Sequence, residues 1–210
     1  MKISPQEIST SDKFHLTHVL SYDNIAPFVF SNIKKFNLAT FAFYFLNILF
    51  VVIGIIAIVI FVSSDFFTWK YTLLNLILGF LIYPILLIPV HELVHAIIYK
   101  LIGAPKIKFG IDLSQYIFYI AADNFAVNFK ELLWVAVAPF IFISGLAFLA
   151  FQLFQGPFAI SFILTLIAHG TMCIGDFAVL SFVMENDHKK VITFDNVEEK
   201  KAFFYKTLTN

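Results

Sequence analysis

The chain contains one cysteine, Cys173, no arginine at all, and charged side chains at only 13% of its 210 positions. A lone cysteine excludes an internal disulfide and a cysteine-rich metal site. The 14 basic residues, every one a lysine, balance 14 acidic ones to a formal net charge of zero. That balance offers no basic surface, so no nucleic-acid partner is expected. A cleavable signal peptide is missing too: the first 38 residues are polar and mixed, with Pro5, His15, His18, Lys34 and Lys35 ahead of any long apolar run. There is no internal repeat, low-complexity stretch or flexible linker. The shortage of charge is matched by 60% hydrophobic residues, including 28 phenylalanines, whereas soluble domains carry about 25% charge and about 45–50% apolar residues. We read the lysine-only, phenylalanine-rich usage as bacterial composition bias.

What is present is apolar sequence in lengths that suit a bilayer, which needs about 20 residues per helix. Four runs qualify, at about 39–62, 71–102, 129–154 and 158–184. Pro84 and Pro89 are expected to kink the second run and Pro139 the third. Gly103 and Pro105 end the second. If both termini and the 103–128 connection share one side, that side holds every lysine except Lys70. The positive-inside rule makes it cytoplasmic. The expected fold is therefore an all-α membrane protein with about four transmembrane helices in the cytoplasmic membrane. Residues 1–38 form a cytoplasmic leader, 39–184 the transmembrane domain and 185–210 a cytoplasmic tail. The stretch KIKFGIDLSQYIFYIAAD between the second and third runs alternates, and predicts a short cytoplasmic β-hairpin turning over 112–115. In the tail, EEKKAFFYK reads as a short amphipathic helix.

Chemistry enters at His91-Glu92-Leu93-Val94-His95, an HExxH pattern inside the second run. On a helix, positions i and i+4 share a face, so both imidazoles reach one ion, and Glu92 stands beside them to take a proton from water. Zn2+ suits two imidazoles and a carboxylate with a fourth position open. Ionisable groups at membrane depth carry a cost that marks them as functional. The continuation AIIYKLIG supplies no third histidine, and Glu131 and Glu185 sit at the ends of runs. Asp176 is the one acidic residue of the fourth run before its end. His91 lies 20 positions from Tyr71 and Asp176 lies 18 from Phe158, a depth difference of about 3 Å. Asp176 is thus the expected third ligand, with Asp112, Asp123 and His169 as alternatives. His169 lies two turns from Asp176, and without a break near Gly170 or Gly175 it reads as a substrate or oxyanion contact. His15, His18 and His188 read as surface residues.

With HELVH closing one run, a strand-like stretch, a proline-containing run and Gly175-Asp176 in the last, residues 71–184 resemble a bacterial membrane family, the putative zincin peptidases. More distantly they are similar to site-2 intramembrane proteases. The resemblance implies a zinc peptidase site between spans, with His91, His95 and Asp176 as ligands and Glu92 as general base. Two departures stand out. Site-2 proteases usually carry LDG where this chain reads IGDF, and His169 stands where an asparagine is usual. The leading functional expectation is a membrane-embedded zinc metallopeptidase acting on a peptide or membrane-protein substrate within the lipid bilayer. A non-catalytic zincin-like scaffold or accessory protein, and a zinc hydrolase of a non-peptide amide, are the alternatives.

Overall fold

The structure, a computed structural model, describes residues 3–112 and 117–208. The chain opens with α1 (Pro5–Thr10), β1 (Phe14–Ser21) and α2 (Ile25–Asn32), followed by the long α3 (Leu38–Val62). Helix α4 (Trp69–Ile77) passes through a π-helical turn (Leu78–Ile82) into α5 (Tyr83–Leu101). Strands β2 (Ile107–Asp112), β3 (Ile117–Ala122) and β4 (Val127–Asn128) precede α6 (Phe129–Leu153). Helices α7 (Ala159–Met172) and α8 (Ile174–Glu185) lead to β5 (Val191–Asn196) and β6 (Lys201–Thr207). The protein is 63% helical. Four helical stretches, 38–62, 69–101, 129–153 and 159–185, are long and apolar enough to cross a membrane, with ends within two residues of those expected. Two compact units emerge from the packing: residues 1–40, 92–138 and 175–210 form one, and 41–91 with 139–174 the other.

The first unit corrects the all-α expectation. A four-stranded sheet runs in the order β1-β6-β5-β4 with every pair antiparallel. The presumed leader supplies β1 and the presumed tail β5 and β6. EEKKAFFYK is accordingly no helix: its first residues turn and Lys201–Thr207 is a strand. The helical reading rested on the charges. The aromatic residues prefer a pleated surface, and Phe204 and Tyr205 are buried between β1 and β5. Asn196 makes the turn, its Oδ1 accepting from the N–H groups of Glu198 and Glu199, both at 3.1 Å. The leader is also tied to α8. Asn37 caps α3 by accepting from Ala39 N–H at 3.1 Å, and its amide donates to Ser181 Oγ at 2.8 Å. His18, expected at the surface, is half-buried with its ring 5.1 Å from that of Phe182.

Between α5 and α6, β2 and β3 pair antiparallel from Ile107↔Ala122 to Asp112↔Ile117. Beyond Asp112, the expected turn lies outside the described residues. Asp123 fastens this hairpin: it pairs with Lys108 at 2.8 Å and accepts from Val197 N–H at 3.1 Å. Burial alone would raise the Asp123 carboxyl, but these bonds outweigh it and hold the group below its ordinary range. Asp195 is the opposite case. Burial raises it to about 6, against the hydrogen bond that Tyr22 donates at 3.2 Å, and the Asp123 charge pushes it further up.

The second unit is helical throughout. Its core joins Ala57, Phe61, Ala147, Ile160, Ile163 and Leu164. Gly79 makes the closest approach: a Cβ there would stand 2.4 Å from Leu164 Cβ and 2.7 Å from Ser161 O. This close contact falls inside the π-helical turn. Pro84 follows at the head of α5, where its missing N–H and its ring leave the carbonyl of residue 80 without an ordinary helical partner. Asn75 links α4 to the start of α7. It donates to Pro157 O at 2.6 Å and accepts from Ser161 N–H at 2.9 Å, which satisfies one of the unpaired donors at a helix N-terminus. The fourth apolar run is not one uninterrupted α-helix. It breaks at Cys173, between Gly170 and Gly175, where α7 ends and α8 begins.

Candidate metal centre

Helix α5 carries His91, Glu92 and His95 from its middle onward. It ends in a Schellman arrangement: Gly103 adopts φ 95°, Gly103 N–H donates to Lys100 O at 3.0 Å, and Ala104 N–H donates to Tyr99 O at 2.9 Å. The helix is therefore firmly closed two turns beyond His95. One potential ligand atom from each of His91, Glu92 and His95 lies within 4.8 Å of the others, and the helical repeat puts the two imidazoles on one face. Both histidines are 8% exposed.

Each histidine is held at its Nδ1 edge. His95 Nδ1 lies 2.9 Å from the carbonyl oxygen of Val135. A carbonyl can only accept, so the proton sits on Nδ1, and in the neutral ring Nε2 carries the lone pair. The availability of that carbonyl has a cause in the sequence. Residue 139, four positions on in α6, is proline and has no N–H to give it. Pro139, expected only to kink its helix, thus leaves an acceptor for His95. On the other edge of the ring, His95 Nε2 stands 3.3 Å from Asp176 Oδ1. Asp176 is in the first turn of α8, placed by the break at Cys173.

That spacing bears on whether zinc fits. Two donors each about 2.0–2.2 Å from a tetrahedral zinc stand about 3.3–3.5 Å apart. The His95–Asp176 separation of 3.3 Å, an ion-pair distance, also matches that spacing, and the nitrogen and carboxylate donors are those zinc takes. The residues fit the ion.

In the second unit, His91 Nδ1 lies 3.2 Å from Nε2 of the fully buried His169. Cys173 Sγ stands 3.8 Å from the same His169 nitrogen, and its thiol donates to His169 O at 3.4 Å. His91, His169 and Cys173 form a second group whose potential ligand atoms all lie within 4.8 Å of one another. The sequence assigned Cys173 no role beyond excluding a disulfide, and no side-chain pattern marks the Val135 carbonyl. The proline four residues later was the available signal for that carbonyl. Asp123, an alternative third ligand from the sequence, is committed to Lys108 and Val197.

Also within the second unit, a cavity of about 260 Å³ is lined by apolar groups from Tyr83, Leu87, Ile143, Ala147 and Phe162, and by Thr165. Leu87 and Thr165 stand four residues before His91 and His169 on their respective helices.

No curated protein and no solved structure matches the chain. Residues 84–190, just over half of the sequence, match the family described as "Putative zincin peptidase". That segment includes HELVH, the Val135 carbonyl, His169 and Gly175-Asp176, and the chain belongs to this family.

Proposed function

We propose that the protein is a membrane-embedded zinc metallopeptidase whose ion is held by His91, His95 and Asp176. The observation that carries this is the placement of Asp176 Oδ1 3.3 Å from His95 Nε2, the ring edge opposite the Val135 hydrogen bond. Zinc bound there supplies Lewis acidity, lowering the pKa of a water molecule and polarising a peptide carbonyl. Glu92 acts as general base: its carboxylate takes the proton of the attacking water and passes it to the leaving amine. The Val135 carbonyl keeps His95 in the tautomer that presents Nε2. Asp176 offsets the ion's charge, which a low-dielectric surrounding makes costly to leave uncompensated.

The lysine distribution supports a cytoplasmic side for both termini, and with them for the four-stranded sheet and the β2–β3 hairpin. A site within apolar helices suits a membrane-protein or hydrophobic peptide substrate. The cavity beside Leu87 and Thr165 would take an apolar side chain of that substrate. The β2–β3 pair offers an edge to which an extended substrate strand can add.

The test uses full-length protein purified in detergent. Zinc content near one per chain is expected for wild type and Glu92→Gln, with loss in His95→Ala and Asp176→Ala. Cleavage of a co-expressed membrane substrate should fall by about 10²–10⁴-fold in Glu92→Gln. Undiminished cleavage by that variant would overturn the assignment of the base. Full zinc retention in Asp176→Ala would remove Asp176 from the ligand set.

A further inference from the structure

A histidine that holds an ion must offer it a ring nitrogen without a proton, so its tautomer has to be fixed by what the other nitrogen meets. For His95 the device is the Val135 carbonyl, 2.9 Å from Nδ1. Beside His91 Nδ1 stands the imidazole of His169, with Nε2 at 3.2 Å. We infer that His169 is a positioning residue, accepting the Nδ1 proton of His91 so that His91 presents Nε2 to the metal. The inference rests on the zinc reading above and assigns His169 a place in the outer sphere of that site.

Three observations carry it beyond the distance. His169 is 0% exposed, so its ring is held by packing and water does not compete at its nitrogen. It sits near the C-terminal end of α7, one turn before the break at Cys173. The same break delivers Asp176 to His95, so one discontinuity serves both histidines from a single stretch of eight residues. Thirdly, Cys173 does not need to be a ligand to explain its place. Its thiol donates to the His169 carbonyl at 3.4 Å, a local bond that closes the end of α7 and steadies the backbone carrying the His169 ring. Tautomer logic completes the chain: if His91 Nδ1 donates, His169 Nε2 carries a lone pair and His169 bears its own proton on Nδ1.

Outer-sphere partners of this kind are worth about 10–100-fold in metal affinity. The experiment measures zinc affinity of the full chain in detergent by competition with a chromophoric chelator, so no substrate is needed. His169→Ala is expected to bind zinc about 10–100-fold more weakly. His169→Gln, whose amide oxygen can accept the same proton, should recover most of the loss, a rescue that a purely space-filling role would not give. Lys201→Met, in an exposed pair with Glu199, is the control that keeps wild-type affinity. Wild-type affinity in His169→Ala would overturn the inference and return His169 to the substrate or oxyanion side. His95→Ala separates the two levels of argument: if it too binds zinc as wild type does, the metal reading itself has failed. Should the alanine variant not fold, cobalt-substituted wild type still decides. A spectrum without a sulfur-to-cobalt charge-transfer band is expected, and a strong band would make Cys173 a ligand and overturn the proposal.

Discussion

The unit formed by residues 41–91 and 139–174 contains two charged side chains, Asp65 and Lys70; the unit formed by 1–40, 92–138 and 175–210 contains all the others. The first is held by close packing and a few amide bonds, with Gly79 against Leu164 and Asn75 bridging two helices. The second is held by a sheet and an ion pair on a buried carboxylate, with Asp123 clamped by Lys108 and Val197. The contrast teaches that one chain meets its buried polar groups in two ways. Where surroundings are apolar, the bonds are neutral amide bonds between helices. Where strands meet, ionised groups do the joining, and stability becomes sensitive to pH.

The largest effect should come from crowding the first-named unit. Gly79→Val places a β-branched side chain where Leu164 Cβ and Ser161 O already stand, and should cost about 3 kcal/mol or more. Thermal unfolding in detergent would reveal it, and a midpoint equal to wild type would mean the close approach does not hold the unit together. Next, Asn75→Ala removes two contacts across helices and should cost about 1–2 kcal/mol. Because both are neutral bonds, that loss should be the same at pH 5 and pH 8.

The other unit should behave differently. Asp195 has a folded pKa of about 6 against an ordinary 3.8. The folded state therefore binds this proton more tightly, and stability falls as pH rises from about 4 through about 6. Asp195→Asn should raise stability at pH 7.5 by up to about 3 kcal/mol and change little below pH 4. Equal effects at the two pH values would show that the raised pKa is not the cause. Smallest of all, Lys201→Met breaks an exposed pair with Glu199 at 3.1 Å and should shift stability by less than about 0.5 kcal/mol, vanishing in high salt.

The long helices were legible because their signal is local: an uninterrupted apolar run needs no partner to be read, and the four stretches begin and end where the composition changes. HExxH was legible for the same reason, since the spacing of His91 and His95 fixes their common face. The sheet was not. Phe14–Ser21 and Lys201–Thr207 lie at opposite ends of the chain, and neither strand's sequence announces a partner so distant. The charges of EEKK then drew the reading towards a helix that the aromatic residues after them do not form. The break at Cys173 was foreseen only as a condition, because Gly170 and Gly175 permit an interruption without requiring one.

The sequence by itself determined the helices' lengths, the pairing of two imidazoles on one face of α5, and an acceptor left at Val135 by Pro139, because each follows from chain geometry within a few residues. Only the tertiary structure decided which groups meet there: His95 with the Val135 carbonyl and Asp176, His91 with His169. Those meetings depend on how separate helices pack and where the last of them breaks, and no local propensity specifies either.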